Sequence, residues 1–440
     1  MIWIHVVILF ACIFIGTRMN GIGLGVMGAV GVGIFTFLFG MAPSDPPIAV
    51  MLTILSVVVA AGTLQLSGGL DYLVFLAERL LRKHPKRITF VAPFVTWLFT
   101  VAAGTQHVCY SVQPVIAEVA RETGIRPERP LSVAVISSML GITASPLSPG
   151  TLAIFALLSP LGITLFDILA ISIPATFIGS MVAALVVSRK GKELADDSAY
   201  QERIAKEPIA SVDLKAYTPN ASAVISVVLF LFSAISVVLL GSFEKLRPSW
   251  EMIVDGETIT TILDMTTTIQ IVMLTFAAMM ILICKPKVPD IVGGSVFKAG
   301  ATAVVAIFGV VWMSDTVIQA HSETINAAMS DLVTNAPILF AVALFFLSAI
   351  LYSQAAAVRA IMPLGLALGL SPVMLIGMFP AVNGYFFVPN YPTLVSAVNF
   401  DRTGTTRIGK YLFNHSFMIP GLVGLWVAVG VGLLLSNIFL

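Results

Sequence analysis

The chain reads as an all-α polytopic membrane protein of two inverted-topology repeats, with about ten transmembrane helices, two re-entrant hairpins and two broken helices. Three observations predict this. The 440 residues are 58% hydrophobic and only 11% charged, whereas soluble domains carry about 25% charge. Apolar stretches are interrupted four times by glycine, proline or small polar residues. The same order of segments occurs twice, with opposite charge at corresponding ends. The mean hydropathy of +0.99 makes the lipid bilayer the expected surroundings. A formal net charge of +1, with the basic residues spread over short loops, excludes a nucleic-acid partner. Cys12, Cys109 and Cys284 lie in apolar segments without metal-ligand spacing, so neither disulfides nor a metal is expected, and no cofactor motif is present. Met1–His5 lacks a charged leader region, so the first apolar run is expected as a retained span.

The first repeat is assigned to residues 1–188. Spans cover Ile2–Gly16, the glycine-rich Gly21–Gly40, whose spacing suits close helix packing, and Ile48–Leu66. Gly68-Gly69-Leu70-Asp71 opens an amphipathic surface helix to His84, with Arg79, Arg82 and Lys83 marking its cytoplasmic side. Asp71 reads as its cap. A hairpin follows at about 88–120, with arms Ile88–Ala103 and Val108–Val119 and the tip Gly104-Thr105-Gln106-His107. Its outer ends are basic, so it should enter from the cytoplasm. A broken helix at about 130–160 is interrupted at Ala144–Gly150, because Pro146, Pro149 and Gly150 cannot continue an α-helix. The span Leu165–Val187 closes the half, and the polar stretch 189–220 is a cytoplasmic linker.

The second repeat, 221–440, opens with spans Ala221–Leu240 and Thr268–Cys284 around an acidic loop, then about Phe297–Met313. Asp315–Asn335 is amphipathic without Lys or Arg, which places it outside. A second hairpin at about 336–369 has its tip at Ser353-Gln354. A second broken helix at about 372–400 is interrupted at Val388–Thr393. The basic loop Asp401–Lys410 is cytoplasmic, and the last span, Tyr411–Leu440, ends outside. Pairing Thr105 with Ser353 gives an offset of 248 residues, and pairing the proline breaks gives nearly the same offset. One surface helix is basic and the other acidic, so the halves are inverted, and both termini are expected outside the cytoplasm. Paired discontinuous helices in inverted repeats are a secondary-transporter architecture.

Irregular backbone at membrane depth survives only where protein or a water-filled cavity satisfies its polar groups. Helix N-termini at such breaks carry partial positive charge and suit an anion. The candidate substrate-binding residues are therefore Gly104, Thr105, Gln106, His107, Ser145, Ser148, Ser353, Gln354, Arg359, Asn390 and Thr393. Arg359 stands about 6–9 Å along its arm from the tip at 1.5 Å per residue, where a guanidinium can hold a carboxylate in a bidentate fork. Its alternative is to snorkel to the outer interface. His107 fits either a ligand contact or a tip-lining role, and Glu118 reads as a solvated end charge or a proton carrier. No nucleophile–base set or phosphate loop is present, so an enzyme is not expected.

These residues bring the chain close to a known family. It resembles, nearly end to end, the Dcu family of bacterial anaerobic C4-dicarboxylate transporters. The resemblance is carried by Gly68–Asp71, Pro114–Ala120, Arg129–Ser132, Ile142–Pro146, Phe297–Gly300, Tyr352–Ala356, Pro389–Thr393 and Asp401–Gly409. Leu246–Ser249, Ala320-His321 and Phe400–Arg402 lean toward the DcuB-like subgroup. The resemblance implies an ion-transporter superfamily-like fold in the bacterial inner membrane. It also implies C4-dicarboxylate substrates (fumarate, succinate, malate, aspartate) and, for the subgroup, fumarate/succinate antiport in anaerobic respiration and a membrane sensor kinase as partner. Sodium-coupled carriers of that superfamily often carry Ser-Asn-Thr at both tips; the tips here are Gly-Thr-Gln and Ser-Gln-Ala, so no sodium site is assigned. The expected mechanism moves the hairpins and broken helices against a scaffold of spans 1–3 and 7–9. Proton- or sodium-coupled uptake, and a membrane sensor or co-regulator without flux, stay open as alternatives, as does homo-oligomerisation.

Overall fold

Apolar stretches in hydrocarbon must bond their own backbone, which makes helices of them. The computed structural model describes residues 2–19, 22–198, 200–202, 218–254, 257–321, 337–351, 354–389, 391–409 and 413–440. Helices α1 (Ile2–Met19), α2 (Gly23–Phe37), α3 (Ile48–Leu66) and α4 (Gly69–Lys83) come first. They are followed by α5 (Ile88–Ala103), α6 (His107–Glu122), α7 (Glu128–Thr143), α8 (Pro149–Leu158) and α9 (Leu165–Val187). The second half has α10 (Ala221–Ser242), a hairpin of β1 (Ser249–Val254) and β2 (Glu257–Ile262), α11 (Met265–Cys284) and α12 (Ser295–Ala320). Then come α13 (Ile338–Leu351), α14 (Gln354–Ala367), α15 (Pro372–Met378), a 3-10 segment (Phe379–Phe386), α16 (Pro392–Phe400) and α17 (Met418–Phe439).

The protein is thus an essentially all-helical polytopic membrane protein. Among the described residues five helices are long and apolar enough to cross a bilayer, or six if α3 and α4 form one bent span. Of the about ten expected spans, several are shorter apolar helices of 10–17 residues. Three local expectations are corrected. The acidic loop after α10 contains an antiparallel two-stranded hairpin, with Trp250 opposite Thr261. The second broken helix loses α-geometry after Met378, well before its expected break, because Pro380 offers no N–H and the chain tightens to 3-10. The last helix starts at Met418, after the non-helical 413–417, where Ser416 N–H donates to the Arg407 carbonyl at 3.0 Å; the expected start at Tyr411 lies outside the described residues.

The chain divides into two compact units that are not its sequential halves. The first comprises Met1–Asp71, Thr151–Leu169 and Asn220–Ile325. It is the expected scaffold plus the residues that follow the first break. Glycine decides its packing: a Cβ at Gly309 on α12 would lie 1.7 Å from the Gly25 carbonyl oxygen of α2, and one at Gly28 would lie 2.3 Å from Gly309. The two backbones touch, as small residues allow in lipid.

The second unit comprises Tyr72–Gly150, Ala170–Pro219 and Asn326–Leu440, and therefore holds the segments expected as hairpins and most of those expected as broken helices. Helices α5 and α7 meet along a seam of small residues. Thr96 Oγ1 donates to the Ala134 carbonyl at 2.9 Å, and the Thr100 and Ser138 hydroxyls lie 2.9 Å apart. Gly179 of α9 packs against Gly424 of α17, and Gly377 of α15 against Gly432.

The base of α7 is anchored by charge. Buried Glu128 is paired with Arg126 at 2.8 Å and Lys190 at 3.1 Å, and accepts from the Ser416 hydroxyl at 2.8 Å. Arg126 also reaches Asp197 at 2.7 Å, and Arg129 reaches Glu193 at 2.5 Å and the Lys190 and Gly191 carbonyls. The start of the linker is thereby folded into this unit, while 203–217 lies outside the described residues. Burial alone would raise the Glu128 carboxyl, but Arg126, Lys190 and Ser416 outweigh it and hold the group below its ordinary value. A depressed carboxylate contributes its full stability above the ordinary carboxylate range and loses it as pH falls through the lowered value. Glu128→Gln is expected to cost about 3 kcal/mol near neutral pH, as for breaking a buried ion pair. Thermal unfolding in detergent should show this difference from the parent shrinking on acidification.

Candidate functional site

All four expected interruptions fall within the second unit, although 352–353 and 390 lie outside the described residues. At the first tip Gly104 ends α5 in the left-handed region, with φ of +67°, and donates its N–H to Thr100 at 2.8 Å. A Cβ there would stand 3.0 Å from that of Leu147, so glycine is required by both conformation and space. This contact sets the first tip on the interruption of the first broken helix. Within that interruption Ser145 is fully buried; its hydroxyl accepts the Leu147 N–H at 3.3 Å, and its carbonyl accepts the Ser148 N–H. Ser148 is equally buried, and Pro149 starts α8, where a missing N–H costs nothing.

Gln354, at the start of α14, binds the elements together. Its amide nitrogen donates to the Met139 carbonyl of α7 at 3.0 Å and to Asn383 Oδ1 in the 3-10 segment. Asn383 Nδ2 in turn donates to the Pro380 carbonyl at 2.9 Å and to Thr143 Oγ1 at 3.4 Å. The same Gln354 nitrogen lies 3.3 Å from the Tyr385 hydroxyl, which accepts from Gln106 Nε2 of the first tip at 3.0 Å. Both tip glutamine nitrogens therefore lie against one phenolic oxygen, Gln106 donating to it while the two Gln354 hydrogens are directed to Met139 and Asn383. The sequence reading missed Asn383 and Tyr385, because a regular helix was expected there and nothing in their spacing marks the 3-10 turn that aims them inward.

Of the predicted residues, the structure brings together Gly104, Gln106, Ser145 and Gln354. Thr105 is half-buried at the first tip, and His107 begins α6; its side chain, like Ser353 and Asn390, lies outside the described residues. Thr393 is fully buried at the start of α16, and its hydroxyl has no hydrogen-bond partner among the described residues. Arg359 is only 6% exposed, within an unbroken buried run from Gln354; a snorkelling side chain would be open at its head. Glu118 pairs with Arg121 at 2.5 Å, at the outer end of α6. Among the described residues no group of three or more His, Cys, Asp or Glu sits close enough to hold a metal.

The buried faces differ between the two hairpins. On α6, Ser111 is exposed and Pro114 half-exposed. Pro114, Ala117, Glu118 and Arg121 line a cavity of about 230 Å³, with Asn399 and Arg402 opposite. Beside it Gln113 joins α6 to α16, donating to the Thr393 carbonyl at 2.9 Å and accepting from Ser396 Oγ at 2.5 Å. The exposed side of α6 thus leads from Ser111 to a pocket at its far end.

Comparison with known proteins is consistent from end to end. A family model described as anaerobic C4-dicarboxylate membrane transporter matches residues 1–440. The C4-dicarboxylate transporter DcuA of Wolinella succinogenes is 39% identical over 440 residues, covering all of both chains. DcuA of Escherichia coli is 39% identical over 441 residues, also covering all of both chains. The anaerobic C4-dicarboxylate transporter DcuB of Escherichia coli is 37% identical over 450 residues, covering 99% of this chain and 98% of its own. These identities do not separate the two subgroups, so the DcuB-like leaning has no support from them. Among solved structures, the YdaH transporter of Alcanivorax borkumensis, described as having an unusual topology, matches with a TM-score of 0.53 at 15% identity, over 99% of this chain and 96% of that one. MtrF of Neisseria gonorrhoeae matches at 0.50 and 14% identity, over 94% and 85%. At that identity the likeness is one of fold.

The Gln354–Asn383 bond gives a direct test of this arrangement. Removing one partner leaves a buried polar atom unsatisfied. A cycle of Gln354→Leu, Asn383→Leu and the double variant, followed by unfolding in detergent, should give a coupling of about 1 kcal/mol. Additive effects would contradict the bond.

Proposed function

Because the chain belongs to the Dcu family of anaerobic C4-dicarboxylate membrane transporters, we propose that it exchanges C4-dicarboxylates, fumarate inward against succinate outward, across a bacterial inner membrane. It is a transporter and not an enzyme. In this reading the two hairpins and two broken helices are corresponding parts of inverted repeats, giving about ten spans and both termini on the periplasmic side. One substrate carboxylate binds near the second tip with Arg359, and the other binds at Gly104–His107, with Ser145, Ser148 and Thr393 adding neutral donors.

The observation that carries this reading is the convergence of Gln106 and Gln354, one from each hairpin, on a single point inside one compact unit. A dianion about the length of succinate needs two binding ends at a fixed separation, and paired tips supply them. Arg359 places a buried positive charge on the second arm, and charges in apolar segments are functional-site candidates. Exchange, as opposed to ion coupling, is supported by the sparse carboxylates in the apolar segments: Glu118 and Glu128 are both paired to arginine at helix ends. The exposed side of α6 and its cavity fit a route from the side of the basic loop.

Purified protein in liposomes loaded with unlabelled succinate should take up labelled fumarate rapidly, and empty liposomes should not. Equal uptake into empty liposomes driven by a proton or sodium gradient would sink the exchange reading. Absence of flux in both would favour a sensor. Arg359→Ala should raise the apparent KM for fumarate roughly 10- to 100-fold, the range for losing a hydrogen bond to a charged group.

A further inference from the structure

Tyr385 was not expected as a functional residue, yet its hydroxyl occupies the point both hairpin tips face. The ring is 2% exposed and lies in a wholly buried 3-10 segment. Its oxygen is 3.0 Å from Gln106 Nε2 and 3.3 Å from Gln354 Nε2. Amide nitrogens donate and do not accept. The orientation of the Gln354 amide is set independently, because the same nitrogen faces the Met139 carbonyl, which can only accept. Asn383 is oriented likewise by the Pro380 carbonyl, which leaves its Oδ1 toward Gln354. The Tyr385 oxygen accepts from Gln106, the Gln354 hydrogens are taken by Met139 and Asn383, and neither glutamine nitrogen takes the Tyr385 proton. A buried hydroxyl needs an acceptor, and one that already accepts hydrogen bonds is a stronger donor.

A second buried hydroxyl in the same region lacks a partner. Thr393 Oγ1 is fully buried and unbonded among the described residues. It stands two residues beyond Tyr391, whose ring centre is 4.6 Å from that of Tyr385. Among the described residues these two hydroxyl protons have no acceptor, and with the tip amides beside them they call for a ligand made of acceptor oxygens.

We propose that Tyr385 is a substrate-binding residue whose hydroxyl donates a hydrogen bond to one carboxylate of the C4-dicarboxylate between the hairpin tips. This rests on the transport reading and adds to it a neutral donor on the 3-10 segment. Gln106 holds the phenol as a donor, and a carboxylate oxygen takes the proton's hydrogen bond without proton transfer. The site then favours a carboxylate over an amide, because a hydroxyl bonds an ionised oxygen more strongly than a neutral amide oxygen.

The test compares succinate with succinamate, in which one carboxylate is replaced by an amide, using purified full-length protein in liposomes. Tyr385→Phe should weaken succinate roughly 10- to 100-fold in KM, with a smaller change in kcat. It should also shrink the preference for succinate over succinamate. A residue that only pins the tips would weaken both ligands by one factor or lower kcat alone, and either result overturns the proposal, as does an unchanged succinate KM. Should the phenylalanine variant fail to fold, 3,5-difluorotyrosine at position 385 keeps the ring and acidifies the hydroxyl. Succinate should then bind more tightly at neutral pH and lose affinity as pH rises and the hydroxyl ionises; unchanged affinity overturns the proposal. If the parent protein itself neither binds nor exchanges a C4-dicarboxylate, the transport reading fails instead, so the two failures are separable.

Discussion

Hydrocarbon offers no hydrogen-bond partner, so a chain that interrupts its helices at membrane depth must satisfy every freed polar group from within. Each interruption meets that demand differently. Ser145 closes its own turn, its hydroxyl accepting the Leu147 N–H. In the 3-10 segment the Gly384 N–H is taken by Ser348 Oγ of α13 at 2.8 Å. Gln354 does the most, since one amide serves a carbonyl of α7 and the side chain of Asn383. Asn383 passes the connection to Thr143, next to the first interruption. A tip and two broken helices are therefore held by a chain of buried amides, where a partner missing at one link would leave acceptors stranded.

That constraint also explains how small residues and polar residues share the work. Gly104 must be glycine because its backbone is left-handed and Leu147 presses against it. The α5–α7 seam pairs threonine and serine hydroxyls across close-packed backbones. Packing brings the interruptions together, and side-chain amides then satisfy what packing exposes. Formal charge is kept at the ends: Arg126, Glu128, Arg129, Lys190, Glu193 and Asp197 form one network at the base of α7. Arg359 departs from this pattern, since it is buried part-way along an apolar hairpin arm.

The two hairpins do not present equal faces. The second arm of the first hairpin has Ser111 exposed and leads to a cavity beside Arg121. The second arm of the second hairpin is buried continuously from Gln354 to Arg359. The chemistry of the two arms differs: α6 has an exposed stretch ending in the Glu118–Arg121 pair, while α14 is closed around a buried cation.

Hydrophobic length and helix-breaking residues are local properties, and they made much of this protein legible from its sequence alone. The bounds of α3, α5 and α9 follow from apolar runs closed by glycine, proline or charge, and the glycine-rich face of α2 announced a backbone contact that Gly309 completes. Charge bias and the repeated breaks marked out Gly104, Gln106, Ser145 and Gln354 as candidates, and the structure places them near one another. What the sequence could not determine depends on residues far apart meeting in space. Compact units drawn from both halves arise from packing between distant helices. The early unwinding after Met378 reflects Pro380 acting within a buried environment. Tyr385 and Asn383 carry no spacing signal, because their role comes from hydrogen bonds to Gln106, 279 residues away, and to Gln354 and Thr143. Local pattern determines where a helix must break; only the tertiary structure decides which side chains satisfy the broken ends.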